Sequence, residues 1–320
     1  MRAELVCLFV AAAAATAFAV PGTAVTPWYD DGGAPPDPGL FLAPFDVSGS
    51  FDPTDAPGVY DWPVFAYDHA HSGKIPVWPY NNISYQGWYD GPSTGSLISF
   101  YGAPVESDGV IAYADCAGDL LVVNATTRAL VWSRGTGYAY YASAPVIYND
   151  RVMCILPVSS GVVCEARCYR LSDGTLLWQQ PLTSGYQWWR CKPIVVSVGG
   201  TPVSYFVTPA TAGSPSMVCG LNMNNGSVFA SWLLSFRSEG GIATDGTNLF
   251  IPCNTNGMYK YTPAGALMWT MNPPMANRVA GGCSYDAASN QVFFSNEGTV
   301  TGVVPNVVAV NATTGVRNWF

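Results

Sequence analysis

The residues best suited to chemistry in this sequence are aromatic rings and arginines, which lie in short segments between apolar stretches. Aromatic faces stack on sugar rings and arginine forks bind anionic groups, so the combination favours a glycan or an anionic ligand. The candidate ligand-binding residues are Tyr140, Tyr141, Trp188, Trp189, Arg190, Arg237 and Arg278. The structural alternative is that the rings fill gaps between elements and the cations are solvated.

Metal ligands and catalytic groups are scarce in the chain. His69 and His71 are its only histidines and could share a metal ion, but packing at a strand end is the interpretation we favour. A Ser-His-Asp arrangement would draw on the same two residues. Asp115 and Asp119 could hold calcium, yet the Cys-Ala-Gly between them is typical of a turn between strands. We therefore predict no catalytic residue and no metal site.

The amino terminus carries the marks of secretion. An apolar run from Leu5 to Ala19 follows Arg2, and Ala17-Phe-Ala19 offers a cleavage site with small residues. We predict a signal peptide at 1–19. A membrane anchor is the rival interpretation, but no later segment reaches the roughly 18 apolar residues of a span. We therefore expect a secreted protein without a membrane span.

The cysteines are consistent with that compartment. Of nine in the chain, Cys7 lies in the predicted signal peptide, and an even number remains, which predicts disulfides in a secreted protein. Their pairing stays open. The spacing of Cys164 and Cys168 is not that of a CxxC redox or zinc motif. The remaining cysteines are Cys116, Cys154, Cys164, Cys168, Cys191, Cys219, Cys253 and Cys283.

Four Asn-x-Ser/Thr sequons predict glycosylation, and chance matches in a chain rich in polar turns are the alternative. The acceptor asparagines are Asn82, Asn124, Asn225 and Asn311. Three of them lie in the repeated turns described below. If modified, these turns would be poor sites for a tight protein contact.

Charge separates a leader from the body of the chain. Residues 20–61 carry seven aspartates, no Lys or Arg and several prolines, which predicts an extended leader. Residues 62–320 carry 13 acidic and 12 basic residues, so the body is nearly neutral. Because phosphate binding needs clustered positive charge, we expect no nucleic-acid partner.

The body is predicted to be all-β and repetitive. Short stretches rich in Val, Ile, Tyr and Phe alternate with Gly, Asn, Asp and Pro turns, and no helical period is sustained. Five tryptophans recur at intervals of 37 to 54 residues, which suits four short strands per unit. These tryptophans are Trp132, Trp178, Trp232, Trp269 and Trp319.

The second unit shows the expected order of four strands. We predict strands at 144–148, 151–156, 163–171 and 175–179, with Asn149-Asp150 as the first turn. A glycine four residues before the tryptophan marks the last hairpin in three units, where positive φ allows the chain to reverse. The first copy has Arg128 at this position, and the third places Trp232 six positions after Gly226. Both departures predict altered hairpins. We expect each tryptophan to be buried between neighbouring sheets.

The repeat consists of a strand, an Asn/Asp-x-x-Thr-Gly turn and a closing Trp, and it is clearest at Val310–Trp319. This pattern resembles the tryptophan-docking repeat of the pyrroloquinoline-quinone (PQQ)-type β-propellers. A second motif, Trp62-Pro-Val-Phe-Ala-Tyr-Asp-His-Ala-His-Ser-Gly73, is similar to one that opens many such propellers. The family includes quinoprotein alcohol dehydrogenases and the non-enzymatic propeller of the bacterial outer-membrane assembly lipoprotein. The resemblance implies a β-propeller at 62–320.

The resemblance also implies a blade count and a test for enzymatic function. Family rings commonly have seven or eight blades and five are recognisable here, so we expect either a small ring completed by strands at 74–100 or an incomplete ring. The dehydrogenases hold PQQ against a disulfide of adjacent cysteines, beside calcium and a catalytic Asp, and no residue here matches the cysteine pair or that Asp. We therefore predict a secreted scaffold that uses no cofactor and binds a protein or a glycan at the blade-connecting loops. The alternative is a PQQ- and calcium-dependent dehydrogenase or a degenerate relative of one.

Overall fold

The computed structural model describes residues 103–115, 118–138, 141–159, 163–211, 215–238, 241–253, 257–273, 282–295 and 307–319. All of them belong to one of the two compact units into which the chain divides, and only that unit is described below. The predicted signal peptide, the leader, the opening motif at 62–73 and both histidines lie outside the described residues.

The described residues form twenty β-strands and one 3₁₀ helix, Trp188–Arg190. The first ten strands are β1 (Val105–Ser107), β2 (Val110–Ala114), β3 (Asp119–Asn124), β4 (Leu130–Gly135), β5 (Val146–Tyr148), β6 (Arg151–Pro157), β7 (Cys164–Arg170), β8 (Leu176–Pro181), β9 (Ile194–Val198) and β10 (Thr201–Pro209). The others are β11 (Ser216–Asn222), β12 (Val228–Leu233), β13 (Ala243–Thr244), β14 (Leu249–Cys253), β15 (Gly257–Tyr261), β16 (Leu267–Thr270), β17 (Cys283–Asp286), β18 (Gln291–Ser295), β19 (Val307–Asn311) and β20 (Arg317–Trp319). No helix in the described ranges has the length and hydropathy of a membrane span.

The strands assemble into five four-stranded antiparallel sheets, each built from four consecutive strands in chain order. We number them sheet 1 (β1–β4) to sheet 5 (β17–β20). This repeated antiparallel unit is the blade of a β-propeller, and it confirms the predicted fold class. The strand order predicted for the second unit is also confirmed, within three residues at each strand end.

The middle strands of sheets 2, 3 and 4, which have a neighbouring sheet on each side, are buried on both faces. Along β6, Val152 and Cys154 pack towards sheet 1, whereas Met153 and Ile155 pack towards sheet 3. Because side chains alternate between the two faces of a strand, a strand between two neighbouring sheets must be apolar at every position. Four apolar clusters fill the successive spaces from sheet 1 to sheet 5.

In sheets 1 to 4, a tryptophan in the fourth strand, which we call the outer strand, interlocks with the next sheet. A β-carbon built on Gly174 or Gly226 would lie 2.7 or 2.5 Å from the ring of Trp132 or Trp178 of the preceding sheet. Gly265 and Gly315 contact the rings of Trp232 and Trp269 in the same way, and an added β-carbon would lie 2.8 Å from each ring. All four glycines have φ between +67° and +88°, at the hairpin between the third and fourth strands. The hairpin glycine therefore allows the turn, and its missing side chain leaves room for the tryptophan ring of the preceding sheet.

Hydrogen bonds complete three of these interlocks. The indole Nε1 of Trp132 donates to the Leu171 carbonyl at 2.8 Å, and that of Trp178 donates to the Met223 carbonyl at 2.9 Å. Trp269 donates to the carbonyl of Ala312 at 3.2 Å. In each case the acceptor is three residues before the hairpin glycine. The carbonyls that follow the third strands are thereby satisfied by the neighbouring sheet.

Trp232 is the exception, and the cause lies in its hairpin. Its Nε1 is buried without a hydrogen-bond partner in the described part of the chain. In sheet 3 the tryptophan pairs with Val218, two residues farther from the turn than in the first copy, so its indole is displaced along the strand. The Tyr205 hydroxyl instead donates to the Pro263 carbonyl of sheet 4 at 2.9 Å. The altered spacing therefore changes the polar contact but keeps the ring against Gly265.

The two end sheets depart from the interlock. Arg128 occupies the hairpin position of sheet 1 with φ +63°, so a side chain stands where the other sheets have glycine. Trp319 of sheet 5 is 49% exposed, whereas Trp132 and Trp178 are 5% and 8% exposed. The predicted burial of the fifth tryptophan is therefore not met, because no described sheet lies against its face.

Candidate functional site

The segment between sheets 2 and 3 carries the densest set of predicted ligand-binding residues. Trp188 begins the 3₁₀ helix, and its ring meets Phe206 edge-on at a centroid distance of 5.6 Å. Its Nε1 donates to the Thr183 carbonyl at 2.7 Å, and the residue is 1% exposed. Trp188 therefore does not offer the exposed aromatic platform that we predicted, because its ring fills the gap between the segment and β10.

The other predicted residues are less buried, and the described contacts do not join them into one pocket. Tyr141, Arg190 and Arg237 are half-buried, in three different segments that connect sheets. Tyr140, Arg278 and the side chain of Trp189 lie outside the described residues. The ligand site at the connecting loops therefore stays a prediction.

Lys192 also lies in the segment between sheets 2 and 3. It is half-buried, and removal from water lowers the pKa of its ammonium group. Ser238, which follows Arg237 in the segment between sheets 3 and 4, donates its hydroxyl to the Pro252 carbonyl at 2.6 Å. Ser238 N–H in turn donates to the Ser216 hydroxyl at 2.8 Å. These serine contacts anchor the segment between sheets 3 and 4.

Asp115 and Asp119 flank the tight turn between β2 and β3. This turn lies at the end of sheet 1 opposite its last hairpin. The Asp119 N–H donates to Oδ1 of Asp115 at 2.9 Å. Burial raises the pKa of Asp119, and the negative charge of Asp115 adds to this effect. Gly135 pairs with Asp119 across the sheet, and a β-carbon there would lie 1.6 Å from the carboxylate. Within the described ranges, no three potential metal-ligating side chains form a group.

The described cysteines are free thiols, all of them buried. They are Cys154, Cys164, Cys168, Cys191, Cys219, Cys253 and Cys283. Burial raises the pKa of the Cys154, Cys164, Cys168, Cys219 and Cys283 thiols to about 12. The predicted disulfides are therefore not found among these seven residues, which act as small apolar side chains in the spaces between sheets. Cys116 lies outside the described residues.

Three predicted sequons fall on the hairpins between the third and fourth strands of sheets 1, 3 and 5. Oδ1 of Asn124 accepts the N–H groups of Thr126 and Thr127, and Asn311 repeats this arrangement. Asn225 is exposed, and its Oδ1 accepts the Ser227 hydroxyl at 2.8 Å. The three asparagines therefore shape their turns whether or not they carry glycans. Asn82 lies outside the described residues.

A buried ion pair lies within sheet 4, and its lysine also reaches sheet 5; the sequence contained no signal for this pair. Nζ of Lys260 lies 2.8 Å from Oδ2 of Asp245 and donates to the Ala312 carbonyl at 3.0 Å. It also lies 5.0 Å from the centre of the Phe250 ring. Burial acts to raise the pKa of Asp245, but hydrogen bonds from Lys260, Asn248 and Thr247 outweigh it and lower the pKa. Lys260 therefore contributes to the interlock between sheets 4 and 5 through its bond to Ala312.

The outer strands present the largest apolar side chains that remain exposed. Each is the edge of its sheet, so half of its backbone groups lack a partner strand within the sheet. β8, β12 and β16 contain no charged residue. Their exposed side chains, between 41% and 57% exposed, are Leu176, Val228, Phe229, Leu233, Leu267 and Met268. Three neighbouring edges thus lack the charges that usually prevent strand pairing.

No model of a known protein family matches the sequence, and no curated protein matches it. Solved structures share its fold. The quinohemoprotein alcohol dehydrogenase from Comamonas testosteroni is 10% identical, with a TM-score of 0.51 over 79% of this chain and 46% of its own. BamB from Moraxella catarrhalis is 17% identical, with a TM-score of 0.44 over 70% of this chain and 62% of its own.

A computationally designed protein, Ika8, is also similar, with 11% identity and a TM-score of 0.49 over 67% of this chain and 59% of its own. The chain therefore spans about half to three fifths of the length of these structures. At such identities the likeness concerns the fold alone. The dehydrogenase is a β-propeller, and so is the described part of this chain.

Proposed function

We propose that this protein is a non-enzymatic scaffold that binds an extended segment of a partner protein along the outer edge of its blades. The observation that carries the proposal is the uncharged, apolar edge formed by β12. Val228, Phe229 and Leu233 are 53%, 41% and 57% exposed on this strand. Backbone hydrogen bonds from an added strand would supply affinity, and these side chains would supply specificity.

The polar groups between the sheets support the same interpretation. Arg151 donates to the carbonyls of Met223 and Asn224 in sheet 3, and Arg134 donates to the Gly174 carbonyl in sheet 2. Lys260, which pairs with Asp245 in sheet 4, donates to the Ala312 carbonyl in sheet 5. These cations stabilise contacts between blades, as expected where blades serve as a rigid support for a binding surface.

The experiment is selection of extended peptides from a random library on the immobilised full chain. We expect the selected peptides to alternate apolar and polar residues. Their dissociation constants should rise about tenfold or more when Phe229→Lys places a charge on the edge. Asn224→Lys is the matched control, because this exposed residue lies in the hairpin of the same sheet but outside the edge strand.

Two other results would replace this proposal. If Tyr141→Ala or Arg190→Ala abolishes peptide or glycan binding and Phe229→Lys does not, the ligand binds at the blade-connecting loops. If the chain binds PQQ saturably in the presence of calcium and then oxidises an alcohol in a dye-linked assay, it is a dehydrogenase.

A further inference from the structure

The hairpin that leads into β12 carries the sequon Asn225-Gly-Ser227. Ser227 is the last residue before the strand, so Asn225 lies three positions before Val228 and four before Phe229. Four residues of extended chain span at most about 14 Å. A group attached to Asn225 is therefore held close to the start of the β12 edge.

Asn225 occupies a different position in its hairpin from the other two described acceptors. Asn124 and Asn311 end the third strands of their sheets and are half-buried, and Oδ1 of each accepts N–H groups of the following turn. In sheet 3 the equivalent residue is Asn222, whose Oδ1 accepts the Asn224 N–H at 2.8 Å. Asn225 lies farther along the turn and is exposed.

The sequon hydroxyl of this hairpin contacts its own acceptor. Ser227 donates its hydroxyl to Oδ1 of Asn225 at 2.8 Å, and its N–H to the same oxygen at 3.0 Å. In the Asn311 sequon, by contrast, the Thr313 hydroxyl accepts a hydrogen bond from Asn290 at 2.9 Å. The folded hairpin of sheet 3 thus keeps both functional groups of the sequon together at the surface.

The position of this sequon is specific to one of the uncharged edges. Of β8, β12 and β16, only β12 follows a hairpin with an Asn-x-Ser/Thr sequence. Asn124 and Asn311 precede β4 and β20, which carry Arg134 and Arg317. A glycan on Asn225 would therefore affect the apolar edge of β12 and leave those of β8 and β16 open.

We propose that Asn225 carries an N-linked glycan that covers the β12 edge, so that only chains without this glycan bind an extended peptide there. The inference rests on the proposed function, because it concerns regulation of the same edge. An N-glycan is a bulky surface group, so a strand that adds to β12 must compete with it for space.

The modification is a group transfer from a lipid-linked oligosaccharide diphosphate. Nδ2 of Asn225 attacks the anomeric carbon of the first sugar and forms a C–N bond. The bond between that carbon and the diphosphate oxygen breaks, and the lipid diphosphate leaves with the electron pair. One proton of Nδ2 passes to a basic group of the transferase. The reaction involves no oxidation or reduction.

The test uses the full chain secreted from cells that make N-glycans, with glycopeptide mass spectrometry to measure occupancy of Asn225. Peptides selected on the full chain made without glycans are the probes. We expect their dissociation constants to be about tenfold or more higher for the glycosylated chain than for Ser227→Ala from the same cells, which keeps Asn225 but lacks the sequon. Asn124→Gln is the matched control, because it removes only the sequon of sheet 1 and should leave binding weak.

Enzymatic removal of the glycan from the unchanged chain should restore the affinity to within about threefold of that of Ser227→Ala. This arm decides the question alone if thermal unfolding shows that the variant is misfolded. Absence of a glycan at Asn225, or equal affinity with and without it, would overturn the regulation but leave peptide binding at β12 intact. If the deglycosylated chain binds none of the selected peptides, the proposed function fails as well.

Discussion

Trp178 covers Gly226 of the following sheet so closely that a β-carbon on this glycine would lie 2.5 Å from the ring. The same indole donates to the carbonyl of Met223, three residues earlier in the hairpin. A single tryptophan thus contacts the turn of its neighbour by packing and by a hydrogen bond. The stability of the blades should depend on these contacts.

Gly226→Ala should destabilise the protein by about 1 to 3 kcal/mol through overpacking against the Trp178 ring, in addition to strain at positive φ. Gly246→Ala separates the two effects, because Gly246 has φ +86° but no atom within 4 Å of an added β-carbon. Denaturant unfolding measures both variants. Equal losses of free energy in the two would show that the ring does not require glycine.

Trp132→Phe should cost about 1 kcal/mol more than Trp232→Phe in the free energy of unfolding, beyond the loss of ring area. The reason is that Trp132 Nε1 satisfies the Leu171 carbonyl, whereas Trp232 Nε1 has no partner among the described residues. Removing the unpaired N–H of Trp232 leaves no carbonyl without its donor, whereas removing that of Trp132 leaves the Leu171 carbonyl unpaired. Urea unfolding of the two variants checks the difference, and a larger loss for Trp232→Phe would contradict it.

Lys260→Met should destabilise the protein by about 3 to 5 kcal/mol near neutral pH, because it leaves the charge of Asp245 buried without its partner. Adding Asp245→Asn should recover a large part of that loss, since the double variant carries no buried charge. The measurement is denaturant unfolding of the two variants and the unchanged chain. If the double variant is no more stable than Lys260→Met, the ion pair is not the source of the effect.

The same pair predicts a dependence of stability on pH. The pKa of Asp245 is lower in the folded than in the unfolded chain, so the folded chain binds fewer protons. Its contribution is therefore fully present above the unfolded pKa of about 3.9 and is lost as the pH falls through the lower, folded pKa. In the Asp245→Asn variant this part of the acid dependence should disappear. Unfolding curves recorded between about pH 2 and 6 test this.

The buried thiols should be inert in the folded protein. Burial raises the pKa of the Cys154 thiol to about 12, so almost no thiolate exists near pH 8. We expect none of the seven described cysteines to react with a thiol reagent until the chain is unfolded without reductant, when all seven should react. A smaller number in the unfolded chain would reveal disulfides. Reductant should leave the thermal midpoint unchanged.

The repeats were readable in the sequence because their causes are local. A glycine four residues before a tryptophan, as at Gly174 and Trp178, marks a hairpin that needs positive φ. The alternation within β6 follows from burial on both faces. The departure at Trp232 was also visible in its spacing, but its consequence, a loss of the indole hydrogen bond, depended on the position of the neighbouring hairpin.

The candidate site was less predictable. Trp188 has the residue type of a ligand platform, yet it is buried against Phe206, because the segment folds back on β10. Lys260 and Asp245, 15 positions apart, pair within one sheet, on a strand and in a turn, and Lys260 also donates to the Ala312 carbonyl of the next sheet. Residue type did not reveal these roles, since each depends on which side chains the packing brings together.

By itself the sequence determined the all-β class, the four-stranded unit and the position of the last hairpin in each unit, because turn chemistry and strand alternation act over a few residues. Only the tertiary structure decided which surfaces are covered. It placed seven cysteines as buried thiols, seated four tryptophans on glycines and left Trp319 half-exposed. The tryptophans meet hairpins about 40 or more positions away in the sequence, and no local pattern in the sequence encodes that distance.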